Sequence, residues 1–462
     1  MFAVDRDLIK KYDTPGPRYT SYPTAPQMTE SFTHGDYAAE IARTNAADTP
    51  EADLALLSLY YHIPFCDTLC YFCGCNMMIT QNPERVTRYV AYLKKEIELL
   101  RAAIHPKRRV TQLHWGGGTP THLNPGEIGD LKSAINNAFK FDEDAEQSCE
   151  IDPRGLTRAH LEALRASGFN RISMGVQDFE PKVQQAVNRI QPEDITRQTV
   201  QWTRELEFHS INLDLMYGLP HQTVKSFSDT LDKVIDISPD RLAIFNYAHV
   251  PWLKKHMRLI KEEDLPSPDV KLQLLFMTIE KLTDAGYVYI GMDHFAKPDD
   301  ELSIALRNKE LYRNFQGYST RAGADLYGMG MTGISQLFRV YTQNHKTEKP
   351  YFDALDEGIL PTARGYLLDD DDILRRSVIM ELMCNFDLDI ARVERRFNIA
   401  FADYFAQSLR RLDEMARDGL VIMNDAKIEV TGMGRLLIRN IAMNFDKYIL
   451  LKEDKTKYSR TV

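Results

Sequence analysis

The feature that most constrains this chain is the alternation of short apolar, β-branched or aromatic runs with longer stretches of helical spacing. The runs fall at Leu56 to Ile63, Val110 to Trp115, Gln147 to Ile151, Arg171 to Val176, Ile211 to Tyr217, Arg241 to Tyr247 and Tyr287 to Met292. Helical patterns occupy most of the intervals, as at Pro83 to Ala103, Pro125 to Ala138, Arg158 to Ser167, Val224 to Ile237 and Pro268 to Asp284. Strands alternating with helices of this length are the mark of βαβ units and a parallel sheet. Six or more such units predict a full or partial barrel rather than a small Rossmann domain, and in barrels chemistry sits at the carboxyl ends of the strands. Polar and glycine residues do follow the runs: Cys66 after the first, Gly116 to Thr119 after the second, Glu150 and Asp152 at the third, Gln177 at the fourth, Asp214 in the fifth and Ala248 after the sixth.

Four of the six cysteines crowd into IPFCDTLCYFCGCN, as Cys66-x3-Cys70-x2-Cys73-x-Cys75. Isolated cysteines such as Cys149 and Cys384 read as small buried core residues, but four in one turn call for chemistry. A disulfide framework belongs to small secreted domains, and MFAVDRDLIKKYDTPG contains no apolar stretch of the signal-peptide kind. Structural zinc uses two ligand pairs separated by a longer loop, whereas Cys73 and Cys75 stand too close together to close a tetrahedron freely. The third reading is an iron-sulfur cluster held by thiolates.

Composition frames these readings. Hydrophobic residues at 44% and charged residues at 27% of 462 are ordinary for a globular protein of two or three domains. The sequence has no apolar run of roughly 18 residues that would span a membrane. A net charge of -9 argues against a nucleic-acid footprint. Cysteines of the reduced type and the absence of a targeting segment make the cytoplasm the expected location.

Two segments flank the barrel region of 51–350. Residues 1–50 include YDTPGPRYTSYPTAP, whose prolines forbid regular helix. This arm, with Arg18, Tyr19 and Tyr22, either covers a pocket or packs on the surface. After a looser stretch from Thr347 to Arg364, residues 365–462 read as a mostly helical domain. Helices are expected at Asp369 to Leu382, with four aspartates favouring its dipole, at Ile390 to Phe397 and at Ala402 to Asp418, followed by a hairpin around Asn424 and Asp425. Three helices and a hairpin suggest a winged-helix-like domain. The mixed charge of its third helix is a solvated face rather than a phosphate-reading stripe, so a structural cover is expected, not DNA binding.

The run HWGGGTPT from His114 to Thr121 reads either as a tight strand-to-helix turn or as a place where a ligand approaches the backbone closely. It matches neither a Walker loop nor a G-x-G-x-x-G fingerprint. Glu150 and Asp214 are carboxylates inside apolar strands, where they are seldom buried without a partner.

The spacing of Cys66, Cys70 and Cys73 resembles that of the radical S-adenosylmethionine enzymes, and HWGGGTPT resembles their GGE-type segment, with Thr119 in place of the common acidic residue. The resemblance narrows further. LYYHIPFCDTLCYFCGCN, LHWGGGTPTHL, CEIDP, GFNRISMGVQDF, NLDLMYGLPHQT, RLAIFNYAHVP, GMDHFAKPDDEL, RLLIRNIAMNFD and the GPRYTSYPTA arm are all similar to the oxygen-independent coproporphyrinogen III oxidase family, over essentially the whole chain. What the resemblance implies is an α/β fold with a partial (β/α)6-type, TIM-like barrel, an N-terminal arm and a C-terminal helical domain. It implies an anaerobic step of haem and porphyrin biosynthesis, in which the propionates on rings A and B of coproporphyrinogen III become the vinyls of protoporphyrinogen IX. In the family a 5'-deoxyadenosyl radical, made from S-adenosylmethionine at a [4Fe-4S] cluster, takes a β-hydrogen from the propionate; the substrate radical then loses CO2 and an electron.

Residue roles implied by the resemblance follow the matching motifs. Cys66, Cys70 and Cys73 correspond to the cluster ligands, leaving one iron open for S-adenosylmethionine, and Cys75 to an extra cysteine that is not a ligand. The family holds two molecules of S-adenosylmethionine. Tyr60, Gly117, Glu150 and Ile334 match positions around the first; Phe72, Gly118, Thr119, Gln177, Arg189, Asp214 and Ala248 match positions around the second. Taken alone, Ile334 and Ala248 read as core and Tyr60 as a strand aromatic. Because the substrate carries four carboxylates, Arg18, Arg313 and Arg321 are candidates to pair with propionates, ordinary surface arginine being the competing reading. A reductant such as flavodoxin or ferredoxin and a monomeric state are expected. A haem-binding chaperone and a haem-modifying methyltransferase that uses S-adenosylmethionine are the alternatives; the arm and Cys75 fit the oxidase pattern and are not expected of the chaperone.

Overall fold

The computed structural model describes residues 6–450 together with 458, 460 and 461. The chain divides into two compact units, one formed by Met28–Leu274 and Gly323–Leu367, the other by Met1–Gln27, Leu275–Ala322 and Leu368–Val462.

The first unit is α/β and is built on six strands: β1 (Leu57–Ile63), β2 (Arg109–Gly117), β3 (Lys140–Ile151), β4 (Arg171–Gln177), β5 (Ser210–Tyr217) and β6 (Arg241–Asn246). Each pairs in parallel with the next, which brings their carboxyl ends to one side, as in a partial barrel. The helices between them start where local chemistry allows. Asn82 caps Pro83–Ala103, Asn124 and Glu127 form a capping box at Pro125–Ala138, and Thr223 with Ser226 does the same for Val224–Ile237. Along β4 the period of two separates Ile172, Met174 and Val176, all buried, from half-buried Ser173, Gly175 and Gln177. That second face is polar, and it leads into the candidate site.

Beyond β6 the parallel βα pattern stops. The parallel neighbour on the far side of β1 is β7 (Asp325–Met329), a strand absent from the runs marked by the sequence pattern. The run at Tyr287 to Met292 instead forms Val288–Gly291 in the second unit and pairs antiparallel with His294–Ala296. Only Met292 and Asp293 join these strands, and so short a connection closes an antiparallel hairpin but never a parallel crossover. After β7 the sheet continues antiparallel through β8 (Ile334–Gln336), β9 (Val340–Asn344) and β10 (Thr362–Leu367). The stretch expected to be loose contains helix Glu348–Asp356, which buries Tyr351, Phe352 and Leu355. Its Pro350 falls in the first turn, where proline is tolerated. Buried Glu96 accepts hydrogen bonds from Gly330 N and Asn344 Nδ2, each at 2.7 Å, and so fastens the segment leading into β8 and the end of β9 to helix Pro83–Ala103.

The second unit contains helices Asp370–Asn385, Ile390–Phe397, Phe401–Tyr404 and Ala406–Arg417 and a three-stranded sheet of Asp387–Asp389, Lys427–Val430 and Val421–Met423. The single helix expected from Ala402 to Asp418 is broken at Phe405. That ring is buried against Phe401 and Phe445, with centroids 4.8 and 5.3 Å away. Tyr19 and Tyr22 of the arm are core residues of this unit. Tyr19 donates to Asp446 at 2.9 Å, and Arg439 Nε donates to the Pro17 carbonyl at 2.9 Å.

Candidate active site

The cysteine segment leaves β1 through the short strand Phe65–Cys66, which pairs in parallel with Met78–Ile79. Between them the chain has little regular structure, so its carbonyls must be satisfied from outside. Asn188 Nδ2 donates to Leu69 O at 2.8 Å, His256 Nε2 to Cys73 O at 2.8 Å, Lys254 Nζ to Cys75 O at 2.9 Å and His62 Nε2 to Asn76 O at 2.8 Å. The Tyr71 amide donates to Val187 O at 3.0 Å. The loop is thereby fixed by side chains from separate elements, the kind of support that preorganises a ligand set.

Cys66, Cys70, Cys73 and Cys75 all line one pocket at the carboxyl ends of the strands. Among the described residues, ligand atoms gathered within 4.8 Å of one another occur at Asp369, Asp371 and Asp372, not at the cysteines. A single zinc ion with Zn–S bonds of about 2.3 Å needs a tighter thiolate set; a cluster of several irons does not. The acidic trio is already answered by Lys447 Nζ, which lies 3.1, 2.9 and 2.9 Å from the three carboxylates. Burial pushes the Cys66 thiol up to about 11, and nearby Cys73 and Cys70 push in the same direction. Cys73 moves down because Cys75 donates a hydrogen bond to it and Lys254 and Arg189 are cationic neighbours. Arg154 Nη2 and Arg189 Nη1 stand 3.5 and 3.7 Å from Cys70 Sγ. These groups suit thiolates whose charge a metal cluster would share.

The glycine run closes over the loop by backbone contact. Gly118 N donates to Ile63 O at 2.8 Å and Thr119 N to Phe65 O at 2.7 Å. A Cβ on Gly118 would lie 2.5 Å from the Pro64 carbonyl oxygen, and Gly117 has φ +118° with a Cβ position 2.6 Å from the His62 ring. This is close approach and not merely a flexible turn. It aims Gly117 N at Glu150 Oε2, 3.1 Å away, while His114 Nε2 lies 3.1 Å from Oε1. His114 is held in turn by a hydrogen bond from Ser148 to Nδ1 and by stacking on Tyr60 at 5.8 Å and 13°. Nε2–H therefore faces the carboxylate. The Glu150 side chain is 42% exposed, yet it sits on the floor of a concavity where protein thins the solvent. Burial would push its carboxyl up; the His114 hydrogen bond and charge and the Gly117 amide outweigh it and hold the group below its ordinary value.

Asp214, projecting from β5 into the same pocket, behaves differently. Burial first and the neighbouring Glu150 charge second push it up to about 7, against the opposing pull of Asn212 and Arg189. Asn212 Nδ2 donates to it at 2.7 Å. Arg189 is 7% exposed; it donates to Asp152 at 3.0 Å and to Gly175 O at 2.7 Å, and its Nε has no partner. Gln177 lines the pocket from a left-handed backbone at φ +68°, a conformation that costs a non-glycine residue energy and recurs at functional sites.

The pocket thus brings together Cys66, Cys70, Cys73, Phe72, Gly117, Gly118, Thr119, Glu150, Gln177, Arg189 and Asp214. Tyr60 sits behind it, donating to His62 Nδ1 at 3.1 Å. Ile334 begins β8, and Ala248 is exposed after β6; neither lines the pocket. Arg18, Arg313 and Arg321 belong to the second unit. There Arg18 is paired with Asp293, whereas Arg313 is 2% exposed, lies 4.7 Å over the Tyr318 ring and has Nε and Nη1 without partners. Cys149 is core, as expected, its thiol 3.4 Å from the Glu150 carbonyl. His114, Arg154, Lys254 and His256 also serve the site, and no motif in the sequence assigns them a role. Only His114 carried a signal, as a polar residue one place before the apolar Trp115 and on the same strand face as Gly116.

Comparison with known proteins adds a family frame. The Radical SAM superfamily model matches residues 60–234, and the HemN C-terminal domain model matches residues 368–437. The chain is 49% identical over 458 residues to an oxygen-independent coproporphyrinogen III oxidase of Escherichia coli, covering 99% of this chain and 98% of that protein. It is 48% identical over 460 residues to a protein of the same name from Synechocystis, covering 99% and 97%. The solved structure of the Escherichia coli coproporphyrinogen III oxidase, described as a radical SAM enzyme, superposes with a TM-score of 0.91 at 47% identity, over 96% of this chain and 99% of that one.

Proposed function

The chain belongs to the oxygen-independent coproporphyrinogen III oxidase family of the radical S-adenosylmethionine superfamily, and from that premise we propose how its own residues serve the reaction. It is an oxidoreductase that converts coproporphyrinogen III to protoporphyrinogen IX without oxygen, by oxidative decarboxylation of two propionates to vinyls. Its cofactors are a [4Fe-4S] cluster and S-adenosylmethionine, which together supply the primary carbon radical that an unactivated propionate C–H bond requires.

Cys66, Cys70 and Cys73 hold the cluster, and Cys75 stays free. The observation that carries this reading is the single pocket in which those thiols meet Glu150, Asp214 and Arg189. Two molecules of S-adenosylmethionine are proposed. Tyr60, Gly117, Glu150 and Ile334 surround the first; Glu150, kept ionised, receives its amino group. Phe72, Gly118, Thr119, Gln177, Arg189, Asp214 and Ala248 serve the second, where Arg189 Nε is an open donor for a carboxylate and Asp214 accepts from hydroxyls. Among the propionate candidates support is unequal. The two unpartnered donors of buried Arg313 favour it, Arg18 must first leave Asp293, and Arg321 is the third.

The functional division follows the arm at 1–50, the barrel and its extension at 51–350 and the C-terminal domain at 365–462. No helix among the described residues is long and apolar enough to cross a membrane; a cytoplasmic monomer reduced by a flavodoxin or ferredoxin completes the proposal. The test is equilibrium binding of S-adenosylmethionine to the reconstituted protein without oxygen, followed by dithionite-driven turnover of coproporphyrinogen III. Two equivalents bound, with loss of one in Glu150→Gln and of the other in Asp214→Ala, is the expected result. One equivalent, or tight haem binding without product, would overturn it.

A further inference from the structure

Among the described large apolar side chains, Leu253 and Trp252 are the most exposed, at 70% and 69%, and Leu259 on the same segment is 58% exposed. All three lie on the segment after β6 that supports the cysteine loop. Its inner side is apolar: Met257 and Ile260 are buried with Val183, Val187, Leu219 and Tyr247, and Tyr71 and Phe72 of the cysteine loop pack against this group. Its polar reach is direct as well. Lys254 Nζ is 2.9 Å from the Cys75 carbonyl and His256 Nε2 is 2.8 Å from the carbonyl of Cys73. One side chain therefore separates the exposed face from the backbone of an iron ligand.

The charge of this face runs against that of the molecule. The whole chain carries -9, but Trp252 to Lys261 contains Lys254, Lys255, Arg258 and Lys261 and no carboxylate; the acidic run Glu262, Glu263 and Asp264 begins directly after it, so the basic patch is confined to Lys255 and Arg258 beside the apolar trio. Lys255 and Arg258 are exposed beside the apolar trio, whereas Lys261 faces Glu263 at 3.8 Å. A local basic patch on an acidic protein steers an anionic partner toward it. Exposed Trp with flanking Arg is also the composition of an interface anchor. None of these side chains lines the pocket holding Cys66, Glu150 and Asp214, which separates the face from the place where a tetrapyrrole would meet the reacting groups.

We infer that Trp252, Leu253 and Leu259, with Lys255 and Arg258, form the docking surface for an acidic one-electron carrier protein that reduces the cluster. This rests on the reading of Cys66, Cys70 and Cys73 as cluster ligands. The step moves one electron: the reduced carrier is oxidised by one electron, the cluster is reduced by one, and no bond or proton changes at the surface. The arrangement shortens the path from partner to cluster because Lys254 and His256 tie the docking segment to the ligand loop.

The test uses the full-length reconstituted protein and a flavodoxin as probe, with Trp252→Ser/Leu253→Ser and Lys255→Glu/Arg258→Glu variants. Affinity for the flavodoxin is measured by calorimetry over a range of salt, and cluster reduction by stopped-flow absorbance. Both variants should bind and be reduced about tenfold more weakly or slowly, and the charge variant should also lose most of the salt dependence. Dithionite-driven turnover and affinity for coproporphyrin III should stay as in the unaltered protein. Unchanged flavodoxin binding in both variants overturns the inference. So does an equal loss of dithionite-driven turnover or of coproporphyrin binding, which would assign the face to the substrate. Failure of the unaltered protein to hold a cluster or turn over with dithionite would instead count against the reading on which the inference rests.

Discussion

Glu150 and Asp214 make an instructive pair. Each is a carboxylate on a strand of the parallel sheet, and each reaches the same pocket. Glu150 is met by an imidazole and a backbone amide and is held below the ordinary range. Asp214 is met by the neutral amide of Asn212 and by the charge of Glu150, and is pushed up to about 7. Burial pushes both carboxyls up, and the partners of each decide which way it finally moves. Environments that drive two neighbouring carboxyls apart assign them different duties: a permanent anion on one side, a neutral-to-anionic acceptor on the other.

The bluntest way to break this pair is to remove what it serves. Cys73→Ser should abolish iron incorporation and turnover, whereas Cys75→Ser should retain the iron, as read by metal analysis and the charge-transfer absorption. Next in size is Glu150→Gln, which takes the anion from His114 and Gly117. A lost charge-assisted hydrogen bond costs about 1.5–3 kcal/mol, so S-adenosylmethionine affinity should fall roughly 10- to 100-fold; an unchanged dissociation constant would separate Glu150 from the first site. His114→Gln should have a smaller and pH-dependent effect. Without the imidazole the Glu150 carboxyl rises, so affinity is lost as pH falls, about tenfold at roughly pH 6 and less at roughly pH 8. A flat pH profile would show that His114 does not set that charge.

The smallest effect belongs to Asp214→Asn. Near roughly pH 6 the native group is mostly protonated and the variant should differ by less than about threefold in turnover, the gap widening toward alkaline pH. Stability carries the opposite sign from Glu150. A carboxyl whose folded value is raised binds its proton more tightly when folded, so its contribution is lost as pH rises from about 4 toward about 7. Asp214→Asn should accordingly have the higher melting temperature at roughly pH 8 and none of that advantage below about pH 4. Equal melting temperatures across that range would show that Asp214 is ionised as easily folded as unfolded.

The regular elements were legible where a periodic signal met a local stop. Helices Pro83–Ala103 and Pro125–Ala138 start at capped prolines and bury one stripe, so spacing and capping agree. Helix Glu348–Asp356 escaped because its nine residues begin beside Pro350 and offer little more than two turns of pattern. The break at Phe405 leaves no mark in the sequence because helical spacing continues through it; the residue departs from helical backbone at φ -102° and ψ 21°, with its ring packed among Phe401, Tyr404 and Phe445. In the site, cysteine and glycine spacing marked the loop and its cover. His256 and Lys254 were invisible, since a side chain that caps a carbonyl 183 or 179 residues away leaves no local mark.

By itself the sequence determined the parallel βα framework, the positions of the polar residues at its strand ends and the thiol set, because these follow from local periodicity and residue chemistry. The tertiary structure decided that β7 and not the run at Val288–Gly291 flanks β1, and that His114 rather than Asn212 faces Glu150. It also left an apolar, basic face on the segment supporting the cysteine loop. Strand order, the partners of a buried charge and what remains uncovered depend on contacts between residues far apart in the chain, and no window of sequence contains them.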